Sequence, residues 1–118
     1  MQQDVHIQDI HVPNATAQVH DQGSGHLTLH MQGDLDEHNA AELSQVLLPV
    51  VKDARLVELD LSQVASVRGQ GVAVIVRLVA AATAHHERLA IHQAEPAIRS
   101  RLHQLGLDQF VQYTDSAS

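Results

Sequence analysis

The chain has no cysteine and no tryptophan, and its 118 residues include a single Phe and a single Tyr. Lack of cysteine excludes disulfides, thiolate catalysis and cysteine-ligated zinc or iron–sulfur centres. With so few aromatic rings the core must be aliphatic, and stacking platforms for bases or sugars are missing. No apolar run approaches the roughly eighteen residues of a membrane span. The opening MQQDVHIQDI has neither the basic nor the apolar region of a secretory leader, so a cytoplasmic protein without direct membrane insertion is expected. Fixed positive charge is also scarce. Seven Lys and Arg face fourteen Asp and Glu, giving a net charge of −7 that disfavours nucleic acid and anionic membrane as partners. Ten histidines outnumber the fixed cations, and full protonation would carry the formal charge from −7 to +3.

What is present suits one globular domain. The length falls within the usual domain range, and 44% apolar with 18% charged residues is enough to build a core. His26 to Gln32 alternates, with Leu27, Leu29 and Met31 opposite Thr28, His30 and Gln32, which predicts a half-buried strand. Thr16 to His20 alternates likewise, and the turn DQGSG (Asp21–Gly25) predicts a hairpin of the two, with His20 opposite His26. An extended piece, VHIQDIHV, precedes Pro13 and Asn14, and its place is left open.

Asn39 followed by Glu42 resembles a capping box, and Leu43, Val46, Leu47 and Val50 give an amphipathic helix whose last turn Pro49 should bend. Arg55 to Leu61 predicts a strand with Glu58 and Asp60 on its polar side. Gly71 opens a second helix with a stripe of Val72, Ile75, Val76 and Val79, and His85 and His86 suit its C-terminal dipole. A strand over Arg88–His92 follows. A helix then starts at Pro96 with Ile98, Leu102 and Leu105 as its stripe and Gly106 as its stop, and a short strand closes over Phe110–Tyr113.

Strands alternating with helices imply right-handed crossovers. The fold class is therefore α/β, a small mixed and mainly parallel sheet with an N-terminal antiparallel strand. Three strands keep a polar side, so the helices should cover mostly one face.

The segment QVASVRGQGVAVIV (Gln63–Val76) places a loop before a helix, where free backbone N–H groups can receive an anion or a partner's carboxylate. Gly69 and Gly71 lack the Lys and Ser/Thr of a phosphate-binding loop. Arg68 beside a helix N-terminus opposes the dipole, so it should contact a partner or an acidic neighbour among Asp34, Asp36 and Asp60.

The blocks GDLD (Gly33–Asp36), LDLSQV (Leu59–Val64), RGQGVAVIVRL (Arg68–Leu78) and EPAIRSRLHQLGLDQF (Glu95–Phe110), in this order, resemble the STAS domain of anti-sigma factor antagonists. The resemblance spans residues 16–114, leaving 1–15 as an N-terminal extension and 115–118 as a tail. It implies a non-enzymatic regulator that binds an anti-sigma factor or related kinase through a loop whose serine that partner phosphorylates. Aligning Gly71 with the family glycine puts Arg68 at the family's Asp, Gly69 at the phosphorylated serine and Gln70 at the next hydroxyl residue. Gly69 cannot accept phosphate, so the usual phospho-switch should be absent; Ser66 is the nearest hydroxyl. The partner-binding residues expected are Asp34, Asp36, Ser62, Ser66, Arg68, Gly69, Gln70 and Gly71, with no catalytic residue, metal or cofactor.

An alternative role on the same fold is the STAS subunit of an Mla-type phospholipid transporter, packed on its ABC ATPase subunit. Either role is compatible with a homodimer. A reading of another class is metal or pH sensing, with His20, His26 and His30 on one face and His92 sharing it with Glu58 or Asp60. Against it, no compact metal motif such as HExxH occurs. Catalysis finds no GxSxG elbow around Ser62 or Ser66, and Asp34 and Asp36 suit a turn and helix entry.

Overall fold

The computed structural model describes residues 6–84 and 88–114, so the His85–His86 pair and residues 115–118 lie outside it. Six strands form one sheet in sequence order: β1 (His6–Val12), β2 (Ala15–Asp21), β3 (His26–Leu35), β4 (Leu56–Val67), β5 (Arg88–His92) and β6 (Val111–Thr114). The first three are antiparallel neighbours, and β3 to β6 run parallel. Helices α1 (Ala40–Lys52), α2 (Gln70–Thr83) and α3 (Pro96–Gln104) make the three crossovers. The extended segment whose place the sequence leaves open is β1, paired along its whole length with β2 at the sheet edge.

Period-two patterning decides which face is covered. Leu27, Leu29 and Met31 of β3, Val57, Leu59 and Leu61 of β4, and Leu89 and Ile91 of β5 are buried under the helices. Leu43 and Leu47 of α1, Ile75, Leu78 and Val79 of α2, and Ile98 and Leu102 of α3 complete this aliphatic core. Each such Leu or Ile contributes on the order of 1.5–3 kcal/mol by leaving water. Among the described residues no helix lies on the other face, and Glu58, Asp60, His26, His30 and His92 stand there half-buried.

Several local expectations are corrected. The stripe of α2 is rotated, with Val74, Ile75, Leu78 and Val79 buried and Val72 and Val76 half-buried, because Gly71 is pinned against β3 and sets the helix's rotation. In α1, Val46 and Val50 are half-buried while Ser44 and Val51 are buried. Leu105 is 47% exposed because α3 ends before it at Gln104. The hairpin register pairs His20 with Thr28, two residues from the expected His26. The shift is even, so each side chain keeps its face. Finally, β4 continues six residues past Leu61 to Val67.

Candidate functional site

The C-terminal ends of β3 and β4 meet the starts of α1 and α2, and most of the expected residues gather there. Two register shifts lie in this stretch, one between His30 and Gln32 and one between Gly33 and Asp34. Each gives β4 an extra residue. Bulges of this kind re-aim side chains near the end of a strand. After the second, Ser66 is the register partner of Asp34, and its hydroxyl donates to Asp34 Oδ1 at 2.8 Å. Ser62 lies apart: it is exposed farther back on β4, and its N–H donates to Asp60 Oδ1 at 3.0 Å.

The loop itself is held by backbone. The Arg68 N–H donates to Leu35 O at 2.9 Å, and the Gly71 N–H donates to Arg68 O at 2.8 Å. The second bond closes a four-residue turn whose first central residue, Gly69, has φ +52° and ψ −117°. That is the type II′ geometry, which glycine adopts and a residue with a Cβ does not adopt without strain. Gly69 is also the N-cap of α2, and no side chain caps this helix. Gly71 serves a different purpose. A Cβ there would stand 2.0 Å from Leu35 O, so only glycine lets α2 approach β3 this closely.

The facing turn is held by side chains. Asn39 is 1% exposed and makes three hydrogen bonds. Its Nδ2 donates to Pro13 O at 2.7 Å and Asp34 O at 2.8 Å, and its Oδ1 accepts from the Asp36 N–H at 3.2 Å. The expected capping box therefore does not form: the Asn39 side chain is committed to the ends of the neighbouring strands and makes no cap bond. Asp36 is buried, accepting from the His38 N–H at 2.9 Å through Oδ1, with the His38 ring 3.4 Å away. It is thus a turn residue. Among the described residues Arg68 makes no ion pair, so the expected pairing with Asp34, Asp36 or Asp60 is not formed. Arg68, Gly69 and Gln70 are exposed, as are Glu37 and His38. Glu37 was not singled out by sequence reasoning. Its Oε2 would lie 3.7 Å from a Cβ on Gly69, which puts a negative charge beside the turn.

The histidine cluster is a separate feature, on the open face of the sheet. Glu58 accepts from His26 Nε2 at 2.6 Å and from His92 Nε2 at 2.9 Å, and the other nitrogen of His92 bonds to Thr114 Oγ1. His30 Nδ1 lies 2.9 Å from Asp60 Oδ2, and the rings of His20 and His30 meet edge to face at 4.7 Å. The His92 bond is the main cause holding the Glu58 carboxyl below its usual range; partial burial opposes it and His26 adds to it. For Asp60, partial burial opposes ionisation, but hydrogen bonds from Ser62 and His30 outweigh it and the carboxyl also lies below its usual range. Among the described residues no group of three or more His, Asp or Glu is arranged to hold a metal ion, and no helix is long and apolar enough to cross a membrane.

Comparison with known proteins places this architecture. No curated protein matches the chain. An anti-sigma factor antagonist from Mycobacterium paratuberculosis has the same fold, at 22% identity over 92% of each chain and a TM-score of 0.64. The anti-sigma factor antagonist SpoIIAA in its unphosphorylated form matches at 13% identity over 96% of this chain and 90% of its own, with a TM-score of 0.61. SpoIIAA of Bacillus in its phosphorylated form matches at 13% identity over 85% of this chain and 92% of its own, with a TM-score of 0.66. A family model described as "Mlab, STAS domain" matches residues 19–112. With that match covering most of its length, the chain belongs to the STAS domain family.

Proposed function

We propose that this protein is a non-enzymatic regulatory module that binds another protein, an anti-sigma factor or related kinase, through the Ser66–Gly71 loop and the adjoining Asp34–His38 turn. The observation that carries this reading is the contrast within the loop. Its backbone is fixed by hydrogen bonds to Leu35 and across the Gly69 turn, while Arg68 and Gln70 extend into solvent. A preorganised backbone with exposed side chains lowers the ordering cost of docking. Arg68 stands where the family has an acidic residue, so the complementary partner surface is acidic at that point.

In this reading the partner does not switch the protein off by phosphorylating the loop. Gly69 offers no hydroxyl, its positive φ disfavours any residue that would, and Glu37 beside it would repel an added phosphate. Incubation with ATP and the cognate kinase, followed by intact-mass measurement, tests this directly. An unmodified loop is expected, and stoichiometric phosphate on Ser66 would overturn it.

A second reading is favoured by the description of the matching family: the STAS subunit of an Mla-type phospholipid transporter. Co-purification separates the two. An ABC ATPase subunit retained in place of an anti-sigma factor kinase would establish the transporter role.

A further inference from the structure

The open face of the sheet gathers half of the chain's ten histidines. The register puts His11 of β1, His20 of β2, His26 and His30 of β3 and His92 of β5 on the side opposite the helices. Four carboxylates share that side: Asp9 of β1, bonded to Gln18, Asp34 of β3, bonded to Ser66, and Glu58 and Asp60 of β4. Strands β1 to β4 and β6 contain no Lys or Arg. The β5 sequence also contains Arg88, a fixed cation.

From these placements we propose that the open face is a second docking surface, separate from the loop, for an acidic protein surface, and that histidine protonation switches it on. With neutral imidazoles the four carboxylates dominate. With all five imidazoles protonated, these five imidazoles and four carboxylates carry one net positive charge. A protein of net charge −7 then presents one cationic face, which attracts acidic surfaces and orients their approach. The carboxylates do not cancel this by protonating in the same range, because their hydrogen bonds keep Glu58 and Asp60 ionised. The imidazoles also remain accessible: the side chains of His26, His30 and His92 are 31%, 38% and 30% exposed, and His11 is exposed. An acidic partner therefore reaches them without unfolding the sheet.

The test uses the whole chain and poly-L-glutamate as the acidic probe, at low salt so that screening does not mask the effect. Between pH about 7.5 and about 5.5, within the range where histidine side chains change charge, the dissociation constant should fall at least about tenfold. Replacing His11, His20, His26, His30 and His92 together by Gln should abolish that gain, while H103Q should keep it. Because the fivefold variant removes the bonds to Glu58 and Asp60, H11Q/H20Q, which spares them, is the second variant and should lose part of the gain. A gain unchanged in both open-face variants, or equally lost in H103Q, would overturn the proposal. So would binding to phosphatidylserine vesicles without binding to poly-L-glutamate, which would make the face a membrane contact instead.

Discussion

The open sheet face and the loop end of the same strands are built by opposite means. On the open face, side chains bond to one another: the series His26, Glu58, His92 and Thr114 crosses four strands, and His30 bonds to Asp60 beside it. At the loop end the backbone makes the bonds, and Ser66 with Asp34 is the one side-chain pair joining the ends of β3 and β4 there among the described residues. The difference teaches where each region can change. Paired side chains on the open face tie their substitution to one another and respond to pH, whereas a loop held by its backbone can replace its side chains freely provided its glycines stay.

Three measurements bear on that contrast. The largest effect is expected from Gly71→Ala, whose new Cβ would collide with Leu35 O. Forcing α2 off β3 should cost about 3 kcal/mol, read as a lowered denaturation midpoint. An unchanged midpoint would show that the close approach is not required. On the open face, Glu58→Gln should cost under about 1 kcal/mol at neutral pH, because the pairs are partly exposed and screened. Its distinctive mark is in acid. The folded pKa of Glu58 is depressed, so its contribution is complete above the ordinary value of 4.5 and disappears as pH falls through the lower folded value. The Gln variant should therefore show a shallower loss of stability below pH 4.5 than the parent; identical acid limbs would sink this assignment. The smallest effect on stability is expected from Arg68→Ala, within about 0.5 kcal/mol of the parent, since the side chain is exposed and makes no ion pair among the described residues. That substitution should weaken partner binding all the same, and a loss of stability comparable to Gly71→Ala would show that Arg68 supports the fold.

Much of the architecture is legible in the sequence because alternation is a local property. Leu27, Leu29 and Met31 against Thr28, His30 and Gln32 give both the strand and its polar face, and Glu58 and Asp60 repeat the signal on the next strand. The end of β4 is not legible for the same reason: each bulge inserts a residue, and Ser62 to Ser66 no longer alternate. Asn39 misleads, since its position before a helix with Glu42 three residues on suits a cap, and only the tertiary approach of Pro13 gives its amide a better partner. The roles of the two glycines also divide along this line. Gly69 follows from a local turn geometry that the pattern RGQG hints at, while Gly71 answers to a carbonyl on another strand that no local pattern announces.

The order of the sheet has a kinetic consequence. Every strand pairs with its neighbours in the sequence, so the chain can assemble by successive addition, beginning with the β2–β3 hairpin and extending through one crossover helix at a time. No strand must wait for a distant segment to insert beside it, so each parallel pairing closes a single crossover loop, which keeps its closure cost below that of an order that skips neighbours.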